Sequence, residues 1–190
     1  MTGPFLYFPH DRLSPAELSA ARLDGHVVEL GEGYIPADAV ETAEMRAASL
    51  SVLCDERFAA CLWSAAWVYG ALATAPARHS LVRAVEHRVG NLIGRRAIFH
   101  DWPVRADQVI RLGGVLVVRR DKTMADLARR LAHPVDAVRA RAAVEAMAEA
   151  FGVAEGIRWM RDQQRLPGRA DAVAELLRIG ERYGQDDVTR

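Results

Sequence analysis

The residue types able to make or break bonds are sparse in this chain and poorly spaced for it. Six histidines (His10, His26, His79, His87, His100 and His133) never fall into HxxxH or HExxH, and neither Cys54 nor Cys61 stands at a zinc-ligand spacing from one. No metal site is expected. GxSxG, GxxxxGK[ST] and GxGxxG are all missing, and Gly31-Glu32-Gly33 reads only as a turn, so no cofactor is expected either. A metal-dependent nuclease would need the sole lysine, Lys122, beside carboxylates such as Asp121, Asp101 or Glu86. Asp121 reads more simply as a helix N-cap, and the chain is expected not to be an enzyme. The two cysteines form no CxxC pair and read as buried thiols of a protein kept in a reducing cytosol.

What the sequence does carry is an uneven charge. The 190 residues hold 25 cations and 25 acids, a net charge of zero. Residues 1–56 nevertheless contain three arginines against ten acids, whereas residues 78–120 contain nine arginines against three acids. Residues 121–190 balance. A basic stretch beside an acidic one suggests contact with nucleic acid through the first or with a basic protein through the second. Within the basic stretch Arg83, Arg88, Arg95 and Arg96 are the candidate phosphate contacts, followed by Arg119 and Arg120. A solvated arginine face is the plainer reading of the same residues.

The elements that must position these residues are legible in outline. Ser14-Pro15-Ala16-Glu17 predicts a helix start with a capping box, ended by Gly25. His26 to Pro36 predicts a hairpin turning at Gly31 to Gly33. Residues 38–53 are expected to form one helix, and a second is expected from Asp55 through Phe58, Leu62 and Trp67 to Gly70, apolar on nearly every face and so buried. Trp63 and Trp67 read as core. Strands are expected at 81–88, 97–100 and 108–118, the last a hairpin about Gly113-Gly114, with a loop at 90–96 whose glycines let backbone approach a phosphate. Helices follow at 122–132, 134–151, 153–164 and 169–183, broken by Leu166-Pro167-Gly168. Met1 to Pro9 lacks a basic stretch and is broken by prolines, so no signal peptide is expected, and the apolar run 58–73 is too short for a membrane span. Half of the residues are hydrophobic, enough for one core with a small appendage in a soluble cytoplasmic protein.

Three stretches, taken in order and spacing, resemble a known family. They are Ser64-Ala65-Ala66-Trp67-Val68-Tyr69-Gly70, then Gln108-Val109-Ile110-Arg111-Leu112-Gly113-Gly114-Val115-Leu116-Val117, then Lys122-Thr123-Met124-Ala125-Asp126-Leu127-Ala128-Arg129. The family is that of the AbiEi-like antitoxins of abortive-infection (type IV) toxin–antitoxin systems. Gly33-Tyr34-Ile35-Pro36 is similar to the family's wing and Leu166-Pro167-Gly168-Arg169 to its late helical break, so the resemblance runs from about Leu13 to about Leu177.

The resemblance implies a transcriptional regulator that binds operator DNA, represses its own operon and counteracts a nucleotidyltransferase-type toxin. Its fold would be α+β: a shortened winged-helix-like element over residues 1–37, then, over 38–183, a small, mostly antiparallel sheet packed with several helices, and a frayed tail at 184–190. Only about a dozen residues precede Ser14. The expected DNA contact therefore moves to the basic 78–120 segment. The alternative is a protein-binding antitoxin that covers a basic toxin with its acidic N-terminal half. A monomer or weak homodimer without membrane contact is expected.

Overall fold

The computed structural model describes residues 5–87, 89 and 95–186. Its first helix, α1 (Pro15–Leu23), starts as the local chemistry dictates: the Glu17 amide donates to Ser14 Oγ at 3.3 Å and the Ser14 amide donates to Glu17 Oε2 at 2.8 Å. Two strands follow, β1 (Val27–Leu30) and β2 (Gly33–Pro36), antiparallel with Leu30 opposite Gly33. The preceding arm joins them, since Tyr7 and Tyr34 exchange two backbone hydrogen bonds of 2.9 Å.

The middle of the chain departs from expectation. Only Ala43–Ala48 of the first expected helix is helical (α2), started by the Met45 amide donating to Thr42 Oγ1. The second expected helix divides into a strand, β3 (Phe58–Ala60), and a short helix, α3 (Leu62–Val68). All three β3 residues are buried, because this strand is the centre of the main sheet. A run that is apolar on every side fits a strand covered on both faces as well as a buried helix, and periodicity does not separate the two.

Four more strands complete that sheet: β4 (His79–Arg83), β5 (Ala97–Pro103), β6 (Val109–Leu112) and β7 (Val115–Val118). Their order is β5-β4-β3-β7-β6. The expected mostly antiparallel sheet is in fact mixed: β3–β4 and β6–β7 pair antiparallel, but β3–β7 and β4–β5 pair parallel. Alternation within each strand segregates two cores. One face sends Phe58, Ala60, Leu81, Val115 and Val117 toward the arm, the β1–β2 hairpin and α2. The other sends Ala59, Val82 and Val118 toward a layer of four helices, α4 (Arg120–Arg130), α5 (Ala137–Phe151), α6 (Ala154–Asp162) and α7 (Arg169–Asp186).

The β6–β7 turn uses Gly113 at φ 52° and Gly114 at φ 86°, as a tight hairpin requires. Gly113 also lies against α2, where a Cβ would collide with the carbonyl oxygen of Glu44. Trp63, Trp67, Cys54 and Cys61 are all buried, as read. The chain is thus α+β, and among the described residues no helix is long and apolar enough to cross a membrane.

Candidate functional site

Folding turns the charge asymmetry of the sequence back on itself. Arg96, from the basic stretch, grips Glu32 of the acidic one through Nε and Nη2 at 2.8–3.1 Å. Arg111 meets Glu56 at 3.2 Å, Arg119 meets Asp121 at 3.3 Å, and Arg120 meets Glu155 at 2.8 Å while its guanidinium stands 4.8 Å from the Phe151 ring centre. Much of the excess that distinguishes residues 78–120 in the sequence is therefore matched in space.

The six arginines singled out from the sequence separate accordingly. Arg83 is 8% exposed; its Nη1 donates to the carbonyls of Val85 and Glu86, and its Nε lies 3.3 Å from Asp101. It holds the chain where β4 ends and does not present itself to a ligand. Arg88 and residues 90–94 of the glycine loop lie outside the described residues. Arg95 is exposed and meets no acid among the described residues, while Arg96, Arg119 and Arg120 keep substantial exposure within their ion pairs.

The strand register brings these four together. Ala97 pairs with His79, Leu81 with Ala60, and Ala60 with Val117, so the start of β5, the start of β4, the end of β3 and the end of β7 share one end of the sheet. Arg95 and Arg96 lead into β5, and Arg119 and Arg120 follow β7. Three inter-strand steps of about 4.8 Å separate the two pairs, roughly 14 Å in all. Arg78 joins that end by donating from Nη2 to the Ala97 carbonyl at 2.9 Å.

A second feature was not read from the sequence. Between α4 and the outer part of β5 lies a cleft of about 520 Å³, lined by Leu62, Trp102, Lys122, Asp126, Arg129, Arg130 and His133. The only lysine among 24 arginines sits here, buried, with Nζ 2.8 Å from Asp126 Oδ2 and 4.9 Å from the Trp159 ring centre. Arg129 approaches the other Asp126 oxygen at 3.7 Å, and Arg130 pairs with Asp136 at 2.6 Å. On the facing wall Trp102 packs on His100 with ring centres 4.4 Å apart, and the Arg130 guanidinium stands 5.9 Å from the Trp102 ring. Burial, with Arg130 nearby, lowers the His100 pKa to about 4. Leu62 adopts φ 47°, a left-handed conformation costing a branched side chain roughly 1–2 kcal/mol, at the wall of the same cleft. One sequence signal was present: a lone lysine four residues before an acid on a helix otherwise served by arginines.

The cleft presents cations rather than an acid–base pair. Lys122 has three N–H donors of which Asp126 takes one, and Arg129 and Arg130 have donors beyond their ion pairs. Such a surface has the chemistry to accept anions. Lys122 does not meet the partners a nuclease reading asked for; its carboxylate partner is Asp126, and Asp121 lies within the first turn of α4, accepting from the Lys122 amide at 2.7 Å. Among the described residues no three His, Cys, Asp or Glu side chains converge as a metal site.

Three further residues have the types of a hydrolase triad. The Ser64 hydroxyl lies 3.1 Å from His79 Nδ1, and His79 Nε2 lies 3.5 Å from Glu32 Oε1. They are sealed. Ser64 and His79 are essentially unexposed, and Ser64 Oγ already accepts the Ser80 amide at 2.9 Å. Burial lowers the His79 pKa to about 4, so its ring is neutral at pH 7. The arrangement ties the β1–β2 turn to the sheet, and with Arg96 on Glu32 it reaches the surface at the arginine-bearing end.

No protein-family model matches this chain, and no curated protein matches it significantly.

Proposed function

We propose that the chain is an antitoxin-like transcriptional regulator that binds DNA upstream of its own gene through Arg95, Arg96, Arg119 and Arg120. The observation that carries this reading is the strand register, which brings the backbones of both arginine pairs to one end of the sheet, three strand spacings or roughly 14 Å apart. That span is comparable to the roughly 12 Å width of a DNA major groove, so the two pairs suit phosphates on opposite sides of it. The ion pairs of Arg119 and Arg120 have exposed guanidiniums and are individually weak, of order 0–1 kcal/mol, so phosphates compete for them, whereas Arg96 holds the largely covered Glu32 through Nε and Nη2 and offers phosphate its remaining donors.

The three resemblance-bearing stretches meet in the fold. Tyr69 from the first and Thr123 from the third both donate to the Val118 carbonyl, directly after the second, at 2.8 and 3.1 Å. In this reading the protein acts in the cytoplasm as a monomer or weak homodimer, without a cofactor and without enzymatic activity. Counteraction of a nucleotidyltransferase toxin would follow from the resemblance. The alternative is a toxin contact through the acidic N-terminal half, whose Glu32, Glu41 and Glu56 are ion-paired with Arg96, Arg46 and Arg111 just as three of the four arginines assigned to DNA are ion-paired. The test is a gel shift with the gene's own upstream DNA. Arg95→Glu/Arg96→Glu is expected to abolish a salt-sensitive shift, and an undiminished shift by the double variant would remove the proposal.

A further inference from the structure

The cleft between α4 and β5 is lined by none of the four arginines of the sheet end and offers a different chemistry. Three cations line it, and they differ in kind: Lys122 is a compact ammonium largely covered by Asp126 and the Trp159 ring, whereas Arg129 and Arg130 present planar forks. Both oxygens of Asp126 face cations, at 2.8 Å and 3.7 Å, so the one acid in the lining is neutralised within the cleft. Opposite stands Trp102, 37% exposed, with the His100 ring 4.4 Å and the Arg130 guanidinium 5.9 Å from its ring centre. An indole left accessible beside a cluster of cations matches a ligand with a planar ring at one end and several anionic oxygens at the other. The volume, about 520 Å³, lies within the range of small-molecule pockets and admits one such unit rather than a duplex.

We propose that this cleft binds a nucleoside phosphate, its base stacked on Trp102 and its phosphate held by Lys122, Arg129 and Arg130. The nucleotide is either free or the 5′-phosphorylated end of a single strand; the chemistry is common to both. The site is independent of the operator-binding reading, since it uses none of the four arginines assigned there.

Calorimetric titration of the full chain tests it, using 5′-AMP, adenosine, inorganic phosphate and a short single-stranded oligonucleotide with and without its 5′-phosphate. Saturable one-to-one binding of AMP is expected, tighter than adenosine or phosphate alone. Trp102→Ala is expected to weaken AMP roughly tenfold or more, the usual effect of losing a stacked base. Arg129→Gln, which also removes a hydrogen bond to the Pro167 carbonyl, is expected to weaken AMP while the variant still unfolds cooperatively, so the test survives if the Trp102 variant folds poorly. Tight binding of the 5′-phosphorylated strand alone would identify the strand end as the source, and tight AMP binding the free nucleotide. Absence of saturable binding by both AMP and the phosphorylated strand would overturn the proposal. So would AMP binding that survives Arg129→Gln unchanged but is lost in Arg95→Glu/Arg96→Glu, because that would place the site at the sheet end.

Discussion

Lys122 and Asp126 meet at 2.8 Å with both side chains almost wholly covered. Two charges taken from water are compensated chiefly by each other, with Arg129 3.7 Å from the second Asp126 oxygen and the Trp159 ring under Lys122, so removing one partner leaves the other poorly matched. Lys122→Met or Asp126→Asn alone is expected to cost about 3–5 kcal/mol, with the double variant recovering a large part of the loss. Urea denaturation of the four proteins measures this, and strictly additive losses would show that the pair is not coupled. Two covered histidines, one buried and one half-buried, act through protons. His79 and His100 both have their pKa lowered to about 4 by burial, against 6.5 when unfolded. A depressed native pKa means that the unfolded chain binds more protons between pH 6.5 and 4. The stabilising contribution is therefore complete above pH 6.5 and is lost as pH falls toward 4, by at most about 1.4 kcal/mol per pH unit for each histidine. His79, essentially unexposed, should dominate over the partly exposed His100. The urea midpoint should thus fall across this window, and His79→Gln should flatten the fall; an equal slope in the variant would contradict the assignment.

At the scale of elements, legibility followed local chemistry. Ser14 and Glu17 satisfy each other's backbone amides within four residues, so the start of α1 could be read directly. Gly113 and Gly114 needed only a hairpin turn with positive φ, and the β6–β7 hairpin formed about them. Gly113→Ala should therefore do more than strain a turn, because the new Cβ meets the Glu44 carbonyl of α2. A loss well above the usual cost of about 1 kcal/mol for a glycine replaced in a left-handed position is expected by chemical denaturation, with Gly114→Ala, whose site is open, losing less. The β3 strand was not legible, because Phe58-Ala59-Ala60 shows no alternation and owes its conformation to β4 and β7 on either side. The parallel pairings β3–β7 and β4–β5 were hidden for the same reason: partners distant in sequence decide them.

At the scale of the molecule, the acidic and basic stretches that look like two surfaces in the sequence are joined in the fold through Glu32–Arg96 and Glu56–Arg111. Linear charge counting could not show this, because it ignores which loops the sheet brings together. Arg83 looked no different from Arg95 in the sequence, yet one closes a strand end and the other faces solvent. The cleft beside α4 escaped notice because its parts, at 62, 102 and 122–133, meet only after β5 and α4 pack against opposite sides of it. The proposed DNA contact rests on the pair of arginine doublets at one sheet end. The salt dependence of affinity for the gene's own upstream DNA tests this most directly, since each phosphate contact adds about 0.9 to the slope of log K against log salt. Replacing Arg95, Arg96, Arg119 and Arg120 by glutamine is expected to reduce that slope by about 3 to 4 and weaken binding across sequences, while the fold is retained. An unchanged slope in the quadruple variant would contradict the account.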